Sequence, residues 1–598
     1  MNYLPQLASG QKSVLNTTTF AGYNHNEIIA DGEMYDTRNL SGEMYPLLSL
    51  RKKRAFTKWE NAGKLSGISG RDKLVFVLGE HVYYNFTRVE GITVSTAEEM
   101  CPKKIVNFGA YVLIFPDKVY FNTIDQSDRG SIDRLWQENG NMISLTMCRG
   151  DGTDYDMTKI TVSNVAPDHP ENGKLWIDQS GDNDVLRQYA ESSGEWVEVA
   201  STFVKITGIG VGTGLEMYDG VRISGLEAPD GASEKVKKQV AALNGSYLVY
   251  FRGESYIVVA GLISNSLSAL KAQTVRIDRK MPEMEWIVES NNRLWGCHYG
   301  MQDGKVVNEI RASALGSFKV WERFMGNSQD SYVASVGTDG MFTGAVTQKN
   351  NPVFFKENAI HTVYGQMPSN YQINTMAARG IQDGSGESAV VVNETVYYKS
   401  RTDVMMFDGS MPVAISAQLG GILYKNARAG AIGGRMYISM QDPEDNWVQF
   451  VFDTKNATWY REDGFHALGY GRVDDELYAI EEDGNRLAAL RGSYGTIEDD
   501  FGWMAEFGLW GTDYRGKKYL SRFDIRMYLE EGSECRLELQ YDSDGNWIKM
   551  PAIRGSRLRS FVIPVIPRRC DHLRFRLTGK GEMRIYGISR IMEVSSDA

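Results

Sequence analysis

The stretch SAVVVNETVYY, residues 388–398, decides the architecture. An apolar, β-branched run through Val392 meets the polar pair Asn393-Glu394 and then Val396, Tyr397 and Tyr398. Branched and aromatic side chains suit a pleated backbone, and a short polar break suits a hairpin turn, so the segment reads as strand, turn, strand. Working outward, the pattern recurs as GGRMYI at Tyr437 and DDELYA at Tyr478 on one side. On the other it recurs as KENAIH at His361, NNRLWG at Trp295, GESYIV at Ile257, PDKVYF at Tyr120 and GEHVYY at Tyr83. Most neighbouring copies lie about 36 to 41 residues apart, close to the period of propeller blades, whose faces are buried only by stacking on one another. Two gaps interrupt the period. The one from Trp295 to His361 reads as a longer or missed unit, and the one from Tyr120 to Ile257 as an insertion on an exposed loop.

The expectation is therefore an all-β chain: a β-propeller of seven or eight blades, with a small inserted β domain and a C-terminal β-sandwich or jelly roll. The expected boundaries are 1–129 for an N-terminal segment and the first blades, 130–233 for the insert, 234–494 for the remaining blades and 495–598 for the sandwich. Alternation in FDIRMYLEEG, CRLELQYDSDGNWIKM and HLRFRLTG supports the last unit. Stacked sandwiches are the alternative architecture.

Composition agrees with this class. The chain has 598 residues, 42% hydrophobic and 24% charged, with 61 Gly but only 15 Pro, and 31 Tyr. That length exceeds what one core serves and the charge is ordinary for a folded protein. A formal net charge of -11 disfavours general nucleic-acid binding, which needs cations for phosphate, yet suits a surface that DNA passes without adhering. Met1-Asn2-Tyr3-Leu4-Pro5 lacks the basic and apolar regions of a signal peptide, and no apolar run approaches the length of a membrane span. Cys101, Cys148, Cys297, Cys535 and Cys570 form no CxxC pair. Reduced, part-buried thiols are expected, with a Cys535–Cys570 contact in the C-terminal unit as the alternative.

Catalytic and cofactor patterns are incomplete. His25, His81, His169, His298, His361, His466 and His572 fall in no metal-ligand spacing. Residues 511–517 have the spacing of a phosphate loop, but Lys518 stands where a metal-binding hydroxyl is needed. GIGVGTG, residues 208–214, is Gly-rich without a following helix. The acids Asp151, Asp154, Asp156, Asp182, Asp184, Glu481, Glu482 and Asp483 lie in turn-rich stretches where Asp serves turns. Asp542 and Asp544 match only part of a calcium loop, and Arg149-Gly150-Asp151 is a chance tripeptide. The expectation is no enzyme, no metal and no cofactor. Arg51-Lys52-Lys53-Arg54 is the one dense basic run, either a solvated turn or the contact for an acidic partner.

The stretch FAGYNHNEIIADGEMYDTRNLSGEMYPLLSLRKKR, residues 20–54, resembles the opening of phage tail proteins in which such a segment precedes propeller repeats. GKLWIDQSG, SGEWVEV and YDGVRISGL in the insert, and DHLRFRLTGKGEMRIYGISRIMEV at the end, are similar to virion structural proteins of phages of Gram-positive hosts. The architecture is similar to the tail nozzle, or tail tubular protein B, family. That resemblance implies a virion component of the tail or neck, assembled in the host cytoplasm as a homo-oligomeric ring, a hexamer by analogy. The ring docks to tail, portal or adaptor proteins, and double-stranded DNA transits it during genome ejection. Two other readings stand beside it: a receptor- or carbohydrate-binding protein using Trp196, Trp447 and Trp547, and a propeller glycosidase.

Overall fold

The computed structural model describes residues 12–60, 63–96, 102–302, 304–512 and 516–594. The opening pentapeptide, Cys101 and part of the 511–517 stretch lie outside them. Nearly all regular structure is β, with a single α-helix, Glu234–Ala242, among the described residues.

Seven small antiparallel sheets follow one another, at residues 65–88, 104–131, 286–335, 342–377, 390–414, 425–461 and 467–489. Turn chemistry produces their hairpins. The first and second strands of four of them are joined by the pairs Asn291-Asn292, Lys349-Asn350, Asn393-Glu394 and Gly433-Gly434, each with both residues at positive φ. Two left-handed residues give a turn whose twist matches that of the flanking strands. Inner strands are buried on both faces: the second strands Leu74–Leu78 throughout and Asn351–Lys356 in all but its first residue, and the third strand Trp447–Asp453 likewise in all but its first. Alternate side chains therefore enter different cores. Val75 and Val77 meet Val112, Ile114 and Phe121 of the next sheet, while Leu74, Phe76 and Leu78 meet Leu468, Tyr478 and Ile480 of the last. The first strand of each sheet lies against the first strand of the next, and Ala467–Val473 lies against Leu65–Gly70, so the series closes on itself. The arrangement is propeller-like. Its last sheet takes an outer strand, Ala55–Thr57, from near the start of the chain, paired antiparallel with Arg486–Ala489.

Three features differ from the sequence expectation. The insert does not end at residue 233. Its edge strand Arg134–Asn139 pairs with Thr274–Arg279, and Tyr256–Ala260, read as the Ile257 repeat, pairs with Phe203–Thr207 inside the insert. Three four-stranded sheets and the helix share one core around Ile177, Val204, Ile223, Val240 and Ile257. A short strand after a tight turn looks alike in either domain, and only its partner distinguishes them. Second, the first two sheets, 65–88 and 104–131, fall in the stretch expected to hold the first blades, but the segment before them belongs to the sandwich. Lys12–Thr17 pairs with Met583–Val594, and Glu33–Arg38 pairs with Gly502–Phe507, placing residues 12–50 in the two packed sheets of the C-terminal sandwich. Third, the repeats are of two kinds. GEHVYY, PDKVYF and KENAIH join second to third strands, whereas NNRLWG, NETVYY, GGRMYI and DDELYA join first to second. The long Trp295-to-His361 interval is this change of phase, with no unit missing.

Candidate functional site: the domain junction and the axial cavity

The basic run 51–54 lies where the sandwich meets the last sheets of the ring. Arg51, buried, donates from Nε to Asn39 Oδ1 at 2.7 Å and from its terminal nitrogens to Glu498 at 2.5 and 3.2 Å, with its guanidinium 4.0 Å over the Phe501 ring. Arg54, also buried, reaches Glu462 at 2.7 Å and Asp463 at 2.6 Å and covers Phe465 at 4.6 Å. Burial opposes the Arg54 charge, but Asp463 and Glu462 outweigh it and hold the guanidinium above its ordinary range. Burial likewise opposes ionisation of Asp463, and Arg54 outweighs that to hold the carboxyl below its ordinary value. Lys53 pairs with Asp500 at 2.6 Å and Lys52 with Glu43 at 3.9 Å, both lysines being half-exposed. The acidic partner of Arg51 and Arg54 is thus this chain itself, which corrects the reading of the whole run as a contact for another protein. Spacing in the sequence could not show this, because the carboxylates lie more than four hundred residues downstream.

The same seam carries further ties. Glu43 accepts from Arg435 at 3.3 Å and Arg491 at 3.2 Å, and Asp36 pairs with Arg461 at 3.0 Å. Two clefts open beside them. One of about 610 Å³ is lined by Arg54, Phe465, Glu481 and Arg486, and one of about 420 Å³ by Lys53, Arg491, Asp500 and Phe501. The ring and the sandwich therefore meet through charged contacts and are locked by groups that lose their partners if either moves.

A third cavity, of about 150 Å³, lies on the axis of the ring among Ser69, Lys104, Glu387 and Tyr470. Lys104 of the second sheet bonds both oxygens of Glu387, from the 3-10 turn before the fifth, at 3.1 Å across the opening. Gly386 permits that approach: a Cβ there would come 1.9 Å from the Trp286 ring and 2.5 Å from the Thr343 carbonyl. The Arg428 guanidinium donates to Gly384 O at 2.7 Å, and burial lowers its pKa. Tyr470 donates its hydroxyl to Gln449 Oε1 at 3.1 Å, and burial pushes that hydroxyl up. This ion-paired plug has no sequence signature, since its members come from separate sheets.

The other candidates are dispersed. Asp154 pairs with Lys205, Asp184 with Lys235, and Glu481 with Arg486. Asp156 accepts from the Thr158 amide and Asp151 from the Thr153 amide. Among the described residues no group of three or more His, Cys, Asp or Glu is placed to hold a metal. His466 stacks on Trp447 at 3.8 Å between Glu482 and Asp483, each 2.9 Å away. His361 is enclosed between the Thr338 and Thr375 hydroxyls, both at 2.9 Å, and burial followed by Lys356 lowers its pKa to about 4. In the GIGVGTG loop the carbonyls of Gly210, Val211 and Thr213 all accept from Arg134, so the loop turns acceptors inward and makes no amide cradle. Trp196 packs edge-on to Trp176 and Tyr189, and Trp547 lies under Arg576 at 4.2 Å. Cys148, Cys297, Cys535 and Cys570 are buried free thiols, so Cys535 and Cys570 form no disulfide.

No protein-family model and no curated protein sequence matches the chain. Solved structures of similar arrangement include an exo-beta-1,3-galactanase from Phanerochaete chrysosporium (7% identity, TM-score 0.21, 51% of this chain and 94% of that one). They also include an engineered GH43 glycoside hydrolase with endo-xylanase and exo-arabinofuranosidase activity (10%, 0.19, 52% and 97%). A third is PorZ of the type-IX secretion system of Porphyromonas gingivalis (9%, 0.25, 88% and 82%). Likenesses this distant carry no substrate or partner across. They do correct one expectation: glycoside hydrolases stand among the neighbours, so the step from missing catalytic motifs to a chain that is no enzyme is withdrawn.

Proposed function

We propose that the chain is a structural subunit of a phage virion, a nozzle-like ring component of the tail or neck, in which the seven sheets are the blades of one propeller. In this reading it acts through its surfaces: copies assemble into a ring, DNA passes through the assembly, and neighbouring tail, adaptor or portal proteins dock on the accessory domains.

The observation that carries the reading is the position of residues 20–54. The segment bearing the tail-protein resemblance builds strands of the sandwich, delivers Arg51 and Arg54 to the seam, and continues directly into Ala55–Thr57, the outer strand of the last sheet. One stretch thereby ties both ends of the chain to the ring, as a particle under internal pressure requires. The charge of -11 accords with a conduit that does not retain a polyanion. Antibody labelling of purified virions of the encoding phage, with negative-stain imaging, tests the proposal. Label at the tail or neck is expected, and particles complete without the protein refute it.

A further inference from the structure

Two open sheet edges on this chain are complementary. The C-terminal sandwich ends in Arg559–Ile563, paired on one side with Lys518–Leu529 and on the other with no described strand. Along the chain its flanks are one-signed: residues 545–570 contain Lys549, Arg554, Arg557, Arg559, Arg568 and Arg569 and no carboxylate, in a chain of net charge -11, while Asp524 of the neighbouring strand, opposite Val562, is paired with Arg522. Arg554 is neutralised by Glu534 at 3.0 Å, whereas the described residues offer Arg557 and Arg569 no ion pair. Apolar groups stand exposed among these cations, Val562 at 59% and Ile566 at 82%.

The second edge is Glu195–Glu198 of the insert, the outer strand of its sheet, paired only with Val185–Ala190. Here the sign is reversed. Residues 188–204 hold Glu191, Glu195 and Glu198 and no Lys or Arg, Arg187 opposite Glu198 on the neighbouring strand is paired with Asp178 at 3.0 Å, and Val197 is 51% exposed between the two strand carboxylates. Open edges with free amides and carbonyls recruit other strands unless charges of one sign repel them. Each edge here repels its own kind, which blocks symmetric pairing, and attracts the other.

We infer that Arg559–Ile563 of one copy adds to Glu195–Glu198 of a second copy, continuing one β-sheet across the boundary between subunits. The contact is heterologous, using two different surfaces, so it propagates head to tail and closes into a ring when the rotation permits. Main-chain bonds supply the pairing, the Arg–Glu charges set partner and direction, and Val562 and Val197 lose contact with water.

A charge swap on the full chain tests this by sedimentation velocity. Wild type is expected to associate, less strongly in 0.5 M salt than at low ionic strength. Arg557→Glu with Arg559→Glu, and separately Glu195→Arg with Glu198→Arg, should each weaken association at least about tenfold, because like charges then face each other. An equimolar mixture of the two variants, and the chain carrying all four changes, should recover it. That recovery also shows that the variants fold. A wild type that stays monomeric, variants that associate undiminished, or a mixture that fails to recover overturns the inference. An oligomer that passes the swap yet is absent from virions refutes only the tail placement.

Discussion

Replacing Arg54 by Met keeps most of the side-chain volume and removes the charge at the centre of the seam. In the native chain the guanidinium is 3% exposed and faces Glu462, itself 5% exposed, and Asp463. Gln449 also donates to Glu462, at 2.9 Å, but carries no charge to neutralise it. Breaking a buried pair by deleting one partner strands the other, at about 3–5 kcal/mol. In a chain of several domains a single unfolding energy is poorly defined, so the local opening of Ala55–Thr57 against Arg486–Ala489 is the quantity to measure. Hydrogen exchange followed by mass spectrometry should show the amides of this pairing exchanging about a hundred-fold to a few thousand-fold faster, at about tenfold per 1.4 kcal/mol. Acidity gives a second readout. Asp463 is held below its unfolded pKa, so its contribution is complete above about pH 4 and is lost as pH falls through the lower folded value. Without Arg54 that carboxyl takes up its proton at higher pH, so the seam of the variant should open at higher pH than that of wild type. An exchange change under about threefold, with an unmoved acid transition, would show that the pair contributes nothing net and would refute the locked seam.

Gly386→Ala forces a Cβ against the Trp286 ring and the Thr343 carbonyl, and overpacking of this kind costs about 1–3 kcal/mol; a lower apparent melting temperature is expected, and an unchanged one counts against the axial packing. His361 has a folded pKa of about 4 against about 6.5 unfolded, so the unfolded chain binds more protons between those values and stability falls as pH drops through that window. His361→Gln should flatten this slope, by at most about 3 kcal/mol in total, as read from denaturation at pH 4.5 and 7. Burial pushes the Cys535 thiol up to about 12 and Cys570 up to about 11, so neither should label with a thiol reagent at pH 8 until the chain is denatured, as peptide mass mapping would show.

Local signals sufficed for the class of fold. Gly433-Gly434 and the Asn of Asn393-Glu394 announce hairpins because left-handed turn positions favour Gly and Asn, and the flanking Val and Tyr runs need burial. Phase was legible only in part. A tight turn before an apolar pair looks the same between first and second strands as between second and third, so KENAIH and NETVYY read as equivalent although they are not. The GIGVGTG loop drew notice for its glycines, but only its contacts reveal carbonyls turned toward Arg134.

By itself the sequence determined the β character of the chain and the alternating C-terminal strands, because each rests on side-chain period and turn chemistry within about ten residues, and the existence of an insertion after Tyr120, because the repeat spacing breaks there. Tertiary structure alone decided where those strands pair. It carried the insert on to Arg279, drew residues 12–50 into the sandwich, added Ala55–Thr57 to the last sheet and gave Arg51 and Arg54 their carboxylates from Glu462, Asp463 and Glu498. Those decisions follow from which buried faces and charges satisfy one another across hundreds of residues, and no local pattern encodes that choice.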